Sequence, residues 1–155
     1  MITVRPMQHE DMIPVYDLLV ALFMESAQPE QNLDTVKGLA HLQDHVDNPW
    51  DKRAIFVAAN NTEIVGVLKC FISEYWYSND KRAVHEILYV KPEERRGEYA
   101  AALFNQFEMW AKEAGAIHCS ASIFVPSLDA QMAFSKLMTR LEYKHAGVLY
   151  KKELH

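Results

Sequence analysis

The chain has 155 residues, 50% of them hydrophobic and 24% charged, with a formal net charge of -5. This length suits one domain over 1–155 that buries its own core, and the composition excludes a disordered or low-complexity chain. The acidic balance argues against nucleic acid as a partner, because phosphate contacts need clustered Lys and Arg, and no apolar run reaches the ~20 residues of a membrane span.

The opening Met-Ile-Thr-Val-Arg-Pro has no charged start followed by an apolar stretch, so a cytoplasmic location is expected. Cys70 and Cys119 sit in apolar surroundings without C-x-x-C spacing, which predicts neither a disulfide framework nor a zinc site.

Residues 2–5 alternate apolar and polar before Pro6 and read as a first strand. Over 10–24, Met12, Val15, Tyr16, Leu19, Leu22 and Phe23 recur at helical spacing, with Pro14 tolerable in the first turn. A Gln/Pro/Asn loop over 26–32 follows, and then Asp34 can cap a second helix with a Val36, Leu39, Leu42 and Val46 stripe, stopped by Asn48-Pro-Trp50.

Residues 53–59 and 63–76 are β-rich and flank the Asn60-Asn61 turn, so they form a hairpin. After a turn at 78–80, residues 83–90 read as a strand with Val84, Glu86, Leu88 and Val90 on one face and His85, Ile87 and Tyr89 on the other. Pro92 stops it.

Residues 98–114 form the clearest helix, with Ala100, Leu103, Phe104, Phe107, Trp110, Ala111 and Ala114 on one face and Gly115 as its stop. A strand over 117–125 comes next; Pro126-Ser127 then precedes a helix with Ala130, Ala133, Phe134, Leu137 and Leu141 in line. Residues 143–154 read as strand, interrupted by Gly147 and open to division in two. The strand, helix, strand unit from Val84 to Ile117 demands a parallel crossover, which gives an α/β fold with a mixed sheet and helices on both faces.

The chemistry points to one segment. Between Val90 and Leu103 a strand ends at a Pro-bounded loop, and Arg95-Arg96-Gly97 leads straight into the strong helix. A helix start exposes unpaired N–H groups and the positive end of the dipole; two arginines add charge, and Gly97 lets the backbone approach an anion. This reads as a pyrophosphate site, against the plainer reading of a solvated basic loop.

Val90-x-Pro92-x-x-Arg95-Arg96-Gly97-x-x-Ala100-x-x-Leu103 resembles the acyl-CoA motif of the GNAT superfamily of N-acetyltransferases. The opening Ile2-Thr-Val-Arg-Pro, Ile64-Val-Gly66 and the closing Leu141-Glu-Tyr-Lys with Lys152-Glu-Leu are similar to other parts of that family, so the likeness covers nearly the whole chain. The glycine is one place early, with Glu98 where the family has its usual Gly.

The resemblance implies a GNAT-like fold with a sheet of about six to seven strands. It also implies acetyl-CoA as cosubstrate, no metal, and transfer of the acetyl group to a primary amine by direct attack in a ternary complex. Pantetheine would pair with exposed backbone of Leu88, Tyr89 and Val90. The diphosphate would rest on Arg95, Arg96, Gly97, Glu98, Tyr99 and Ala100, and Ser127 would stand near where relatives supply a CoA-bonding Asn, the plain alternative being a helix cap.

Glu86 is the candidate base, since relatives place a carboxylate on this strand; the alternative is a solvated Glu or one paired with a Lys. His85 is read as structural. Met138 falls where many relatives carry the Tyr that protonates the thiolate, leaving Tyr143, Tyr89 and Tyr99 as substitutes. Cys119 is read as a buried hydrophobe, and His41 and His45 lack a third metal ligand.

Glu74-Tyr-Trp-Tyr77 and Phe23-Met24 are read either as acceptor-pocket lining or as core and dimer-seam aromatics. A homodimer is left open. A non-catalytic GNAT-fold module that holds CoA or a protein partner is the rival function.

Overall fold

The computed structural model describes residues 1–26, 32–49, 52–125 and 127–154. The expected loop over 26–32, the Trp50 end of the helix stop and Pro126 fall partly or wholly outside the described residues.

The elements run β1 (Ile2–Pro6), α1 (Met12–Glu25), α2 (Thr35–Asp47), β2 (Arg53–Asn60), β3 (Glu63–Glu74), β4 (Lys81–Val90), α3 (Glu98–Glu113), β5 (Ala116–Ser120) and α4 (Leu128–Arg140). One sheet in the order β1-β2-β3-β4-β5 is antiparallel except for the β4 and β5 pair. The α3 crossover accounts for that parallel pair, as the sequence pattern required.

Alternation along the strands divides the core. Ile55, Val57, Val67 and Tyr89 pack against Val15 and Leu18 of α1 and Leu42 of α2. Phe56, Ala58, Leu68 and Cys70 pack on the other side against Leu103, Phe104 and Phe107 of α3. Gly66 permits that close approach, since a Cβ there would meet Leu103 Cδ1, Tyr89 O and Val90 Cγ2, each at 3.3 Å.

Local chemistry sets the helix starts. Asp34 accepts a hydrogen bond from Lys37 N at 3.0 Å, and Ser127 accepts one from Ala130 N at 3.3 Å. Ahead of α1, buried Asp11 accepts from Arg5 Nη1 and Nη2 and from Gln8 N. Burial pushes the Asp11 pKa up, but these bonds and the Arg5 charge outweigh it and leave the carboxyl below its ordinary range.

Four expectations change. Among the described residues the sheet has five strands rather than six to seven. β5 ends at Ser120 instead of 125, because its ladder with β4 stops at the Val84 and Ser120 pair. Residues 143–154 form no strand, having no sheet neighbour among the described residues. Val36 is 80% exposed instead of joining the α2 stripe, since this helix buries only Leu42 fully.

The face assignment in β4 also changes. Cys70 pairs with His85 while Lys69 pairs with Ile87, so Glu86 is an extra residue bulged out of the ladder. The bulge reverses the alternation. His85 therefore joins Leu88 and Val90 on the α3 side, whereas Glu86 turns toward α1 and α2, where it pairs with Lys69.

Candidate functional site

β4 pairs with β3 along its length but with β5 only from Lys81 to Val84. Beyond Val84 the two strands part, so the backbone of Leu88 and the Val90 N–H face the gap without a strand partner, while Tyr89 pairs with Val67 of β3 and Arg95 takes Val90 O. A cavity of about 240 Å³ fills the gap, lined by Leu88, Val90, Arg95, Gly97, Ala100 and Phe134 among others. It adjoins a second of about 360 Å³, which shares Leu22, Leu88, Ile123, Val125 and Phe134 and adds His85, Glu86 and Phe23.

At one end of this cleft stands the start of α3. Gly97 is its N-cap with φ 88°, in the left-handed region that glycine tolerates, and it contributes no capping side chain. The first α3 amides therefore point out of the helix unmet by a cap. Arg96 is exposed beside them, and Arg140 at the end of α4 reaches Gly97 O at 3.5 Å. Arg140 is a cation at this corner that no local sequence pattern marked, because α4 brings it from 43 residues away.

Arg95 is placed differently from Arg96. Its Nε donates to Val90 O at 2.7 Å, its Nη2 pairs with Glu25 at 2.9 Å, and its guanidinium lies 5.0 Å from the Tyr89 ring centroid. Tyr89 donates its hydroxyl to the same Glu25 at 2.8 Å, and burial, followed by that bond, pushes its pKa up to about 12. Glu98 is exposed in the first α3 turn, Tyr99 is buried in the core, and Ala100 lines the cleft. Ser127 caps α4, as its plainer reading held.

Glu86 lines the deep end of the cleft, and His41 and His45 of α2 lie outside its lining. Glu86 forms an ion pair with Lys69 and lines the cavity with Leu19, Leu22 and Phe23 of α1. His41 and His45 of α2 stand 4.8 Å apart, and burial followed by neighbouring cationic charge depresses both, His45 to about 4. Among the described residues, no group of three His, Cys, Asp or Glu side chains could hold a metal ion.

His85 does more than fill the core. Ser122 N, on the segment where β5 has left β4, donates to His85 Nδ1 at 3.4 Å, which places the ring proton on Nε2. The ring lies 5.2 Å from Phe104 and 6.3 Å from Phe134, and burial lowers its pKa to about 4. A neutral imidazole thus accepts from an amide that has left the β4 and β5 ladder, while its Nε2 is buried without a partner among the described residues.

Tyrosine substitutes for the missing acid do not assemble. The Tyr89 hydroxyl is committed to Glu25, Tyr99 is buried, and Tyr143 lines a different cavity, beside β5. α4 presents Ala130, Ala133, Phe134 and Leu137 to the cleft, none a proton donor; Met138 packs toward the core. Phe23 does line the deep cavity, whereas Met24, Trp76 and Tyr77 are not among its lining residues.

The sequence profile of the acetyltransferase (GNAT) family matches residues 15–138. The chain belongs to the GNAT acetyltransferase family. Its cosubstrate is acetyl-CoA, and the apolar cleft with open strand backbone and an uncapped helix start suits such a molecule. No curated protein matches the sequence significantly.

Solved structures share the GNAT fold. AAC(6')-Iy, in complex with the bisubstrate analogue CoA-S-monomethyl-acetylneamine, superposes with a TM-score of 0.76 at 17% identity, covering 99% of both chains. Glucosamine-6-phosphate N-acetyltransferase from Arabidopsis thaliana gives 0.74 at 14%, covering 100% of this chain and 99% of that one. The aminoglycoside 6'-N-acetyltransferase AAC(6')-Ih from Acinetobacter baumannii gives 0.71 at 20% over the whole of both chains. Among the described residues no helix is long and apolar enough to cross a membrane.

Proposed function

We propose that the protein is an N-acetyltransferase acting on a primary amine of a small cationic molecule, an amino sugar foremost. The observation that carries this reading is the parting of β4 from β5 after Val84, which opens a continuous cleft from the α3 start to the Glu86 carboxylate.

In this reading the diphosphate rests on the α3 amides with Arg96 and Arg140 beside Gly97, and Arg95 braces the loop through Glu25. Pantetheine runs along Leu88, Tyr89 and Val90, and an N–H of that open strand polarises the thioester carbonyl. The acceptor enters from the α1 side, past Phe23 and Leu22.

The amine lone pair then attacks the thioester carbon, forming the C–N bond while the C–S bond breaks and the electron pair leaves on sulfur. Glu86 takes the surplus amine proton, directly or through one water. The thiolate is protonated from solvent, since the cleft face of α4 carries no donor. The neighbours named for aminoglycosides and glucosamine-6-phosphate support an amino sugar as acceptor.

The test is thiol release from acetyl-CoA with neamine, glucosamine-6-phosphate, spermidine and a lysine peptide. Amine-dependent release, greatest with an amino sugar, is expected. Acetyl-CoA binding, read by thermal shift, without release from any amine would instead favour the rival reading of a binding module.

A further inference from the structure

The sheet face onto which Glu86 opens continues beyond the cleft. Along β3, Cys70 and Ile72 pack toward α3, so Lys69, Phe71 and Ser73 face the other way, where Lys69 meets Glu86. On β4, Ala83 packs toward α3, which turns Arg82 and Val84 to the same side as Lys69. The register sets Ser73 of β3, Arg82 of β4 and His118 of β5 directly abreast, a row of polar side chains across three strands. This end of the face lies open: Phe71 is 36% exposed, and His118 and Ser120 are exposed as well.

Arg82 is half-buried at the centre of the row. Its guanidinium carbon lies 5.0 Å from the Tyr75 ring centroid, and its Nε is buried without a hydrogen-bond partner. Tyr75 is held over the row by its hydroxyl, 3.1 Å from His118 Nε2. Arg5, Arg53, Lys69, Lys91 and Arg95 each pair with a carboxylate, whereas Arg82 pairs with none among the described residues. A half-buried guanidinium without a counter-charge has lost hydration that an anion would replace. Lying over an aromatic ring, it keeps in-plane N–H groups for a bidentate grip on phosphate oxygens.

The spacing to Glu86 then defines the ligand. Arg82 and Glu86 are separated by about 13 Å of strand, less what the bulge at Glu86 takes up. Val84 and Phe71, paired across β4 and β3, lie between them as an apolar floor. One sugar ring with an amine at one end and a phosphate at the other spans this interval once both side chains reach toward it.

We propose that Arg82, with the Ser73 hydroxyl abreast of it, binds the phosphate of an amino sugar phosphate whose amine lies at Glu86. This rests on the acetyltransferase reading above and narrows the acceptor from a cationic molecule in general to one with an anionic far end. The ammonium end meets the Glu86 carboxylate, the ring lies on Val84 and Phe71, and the phosphate supplies the counter-charge that Arg82 lacks. Tyr75, fixed by His118, keeps the guanidinium in place.

Thiol release from acetyl-CoA with glucosamine-6-phosphate and with glucosamine tests this. The parent should use the phosphate ester better by about ten-fold or more in kcat/KM, the scale of one charge-assisted hydrogen-bonded pair. Arg82→Gln should erase that preference by raising KM for the ester rather than lowering kcat. Arg82→Lys keeps the charge but not the fork and should restore part of it. A second readout needs no turnover. With coenzyme A saturating the diphosphate corner, inorganic phosphate at constant ionic strength should raise the melting temperature of the parent but not of Arg82→Gln, whose fold is followed by circular dichroism. Equal use of the two sugars by the parent, a preference that survives Arg82→Gln, or a phosphate shift absent from the parent or retained by the variant would overturn the proposal. If no amine releases thiol, the acetyltransferase reading falls, and the phosphate titration still decides the anion site.

Discussion

Arg95 donates from Nη2 to both carboxylate oxygens of Glu25, at 2.9 and 3.2 Å, and so ties the end of α1 to the loop before α3. The charge of Arg95, one of two consecutive arginines at the proposed diphosphate corner, is therefore already balanced. Glu25→Gln is expected to tighten acetyl-CoA by about five-fold, the ~1 kcal/mol of one screened charge, and to steepen the loss of affinity with salt. Calorimetric titration at two ionic strengths checks this; weaker binding would mean that the brace matters more than the charge.

Gly97 caps α3 at φ 88°. Gly97→Ala forces an L side chain into the left-handed region at a cost of about 1–2 kcal/mol and places a methyl beside the outward-pointing amides. The variant should bind acetyl-CoA about ten-fold more weakly while its melting temperature drops by only a few degrees. Unchanged affinity would move the diphosphate away from this corner.

Glu86→Gln removes the carboxylate that faces the deep cavity. The expected loss in kcat/KM is about 10²- to 10⁴-fold, concentrated at low pH, where the acceptor amine still carries its proton. At high pH the variant should approach the parent rate. A uniform loss across the pH profile would make Glu86 a partner of Lys69 and nothing more.

Acid should destabilise the fold through its histidines. His85 and His45 are held neutral down to about 4, whereas the unfolded chain protonates near 6.5, so below 6.5 the unfolded state binds more protons and stability falls until pH approaches 4. At about 1.4 kcal/mol per unit, nearly buried His85 contributes roughly 3 kcal/mol to that loss and half-exposed His45 less. His85→Gln keeps an acceptor for Ser122 N and removes the titration. Denaturant melts at pH 7 and 5 should show a flatter pH dependence for this variant.

The proposed diphosphate corner could be picked out because its parts are consecutive: a strand end, Pro92, two arginines, Gly97 and a strong helix. Arg140, Glu25, Ile123 and Val125 were not, since each reaches the site from another element. Phe23 was noticed but could equally have been core. His85 was placed on the wrong face because strict alternation has no way to anticipate a bulge at Glu86.

Residue order alone determined the order of strands and helices as far as α4, the parallel crossover and the uncapped start of α3, because periodicity, caps and breakers act over a few neighbouring residues. Tertiary packing decided what those elements do together: that β5 parts from β4 after Val84, that Glu86 bulges toward α1 and α2 while His85 lies on the opposite face, and that residues 144–154 find no strand partner among the described residues. Such outcomes depend on which backbone groups remain unpaired once distant segments meet, a quantity that no local window contains.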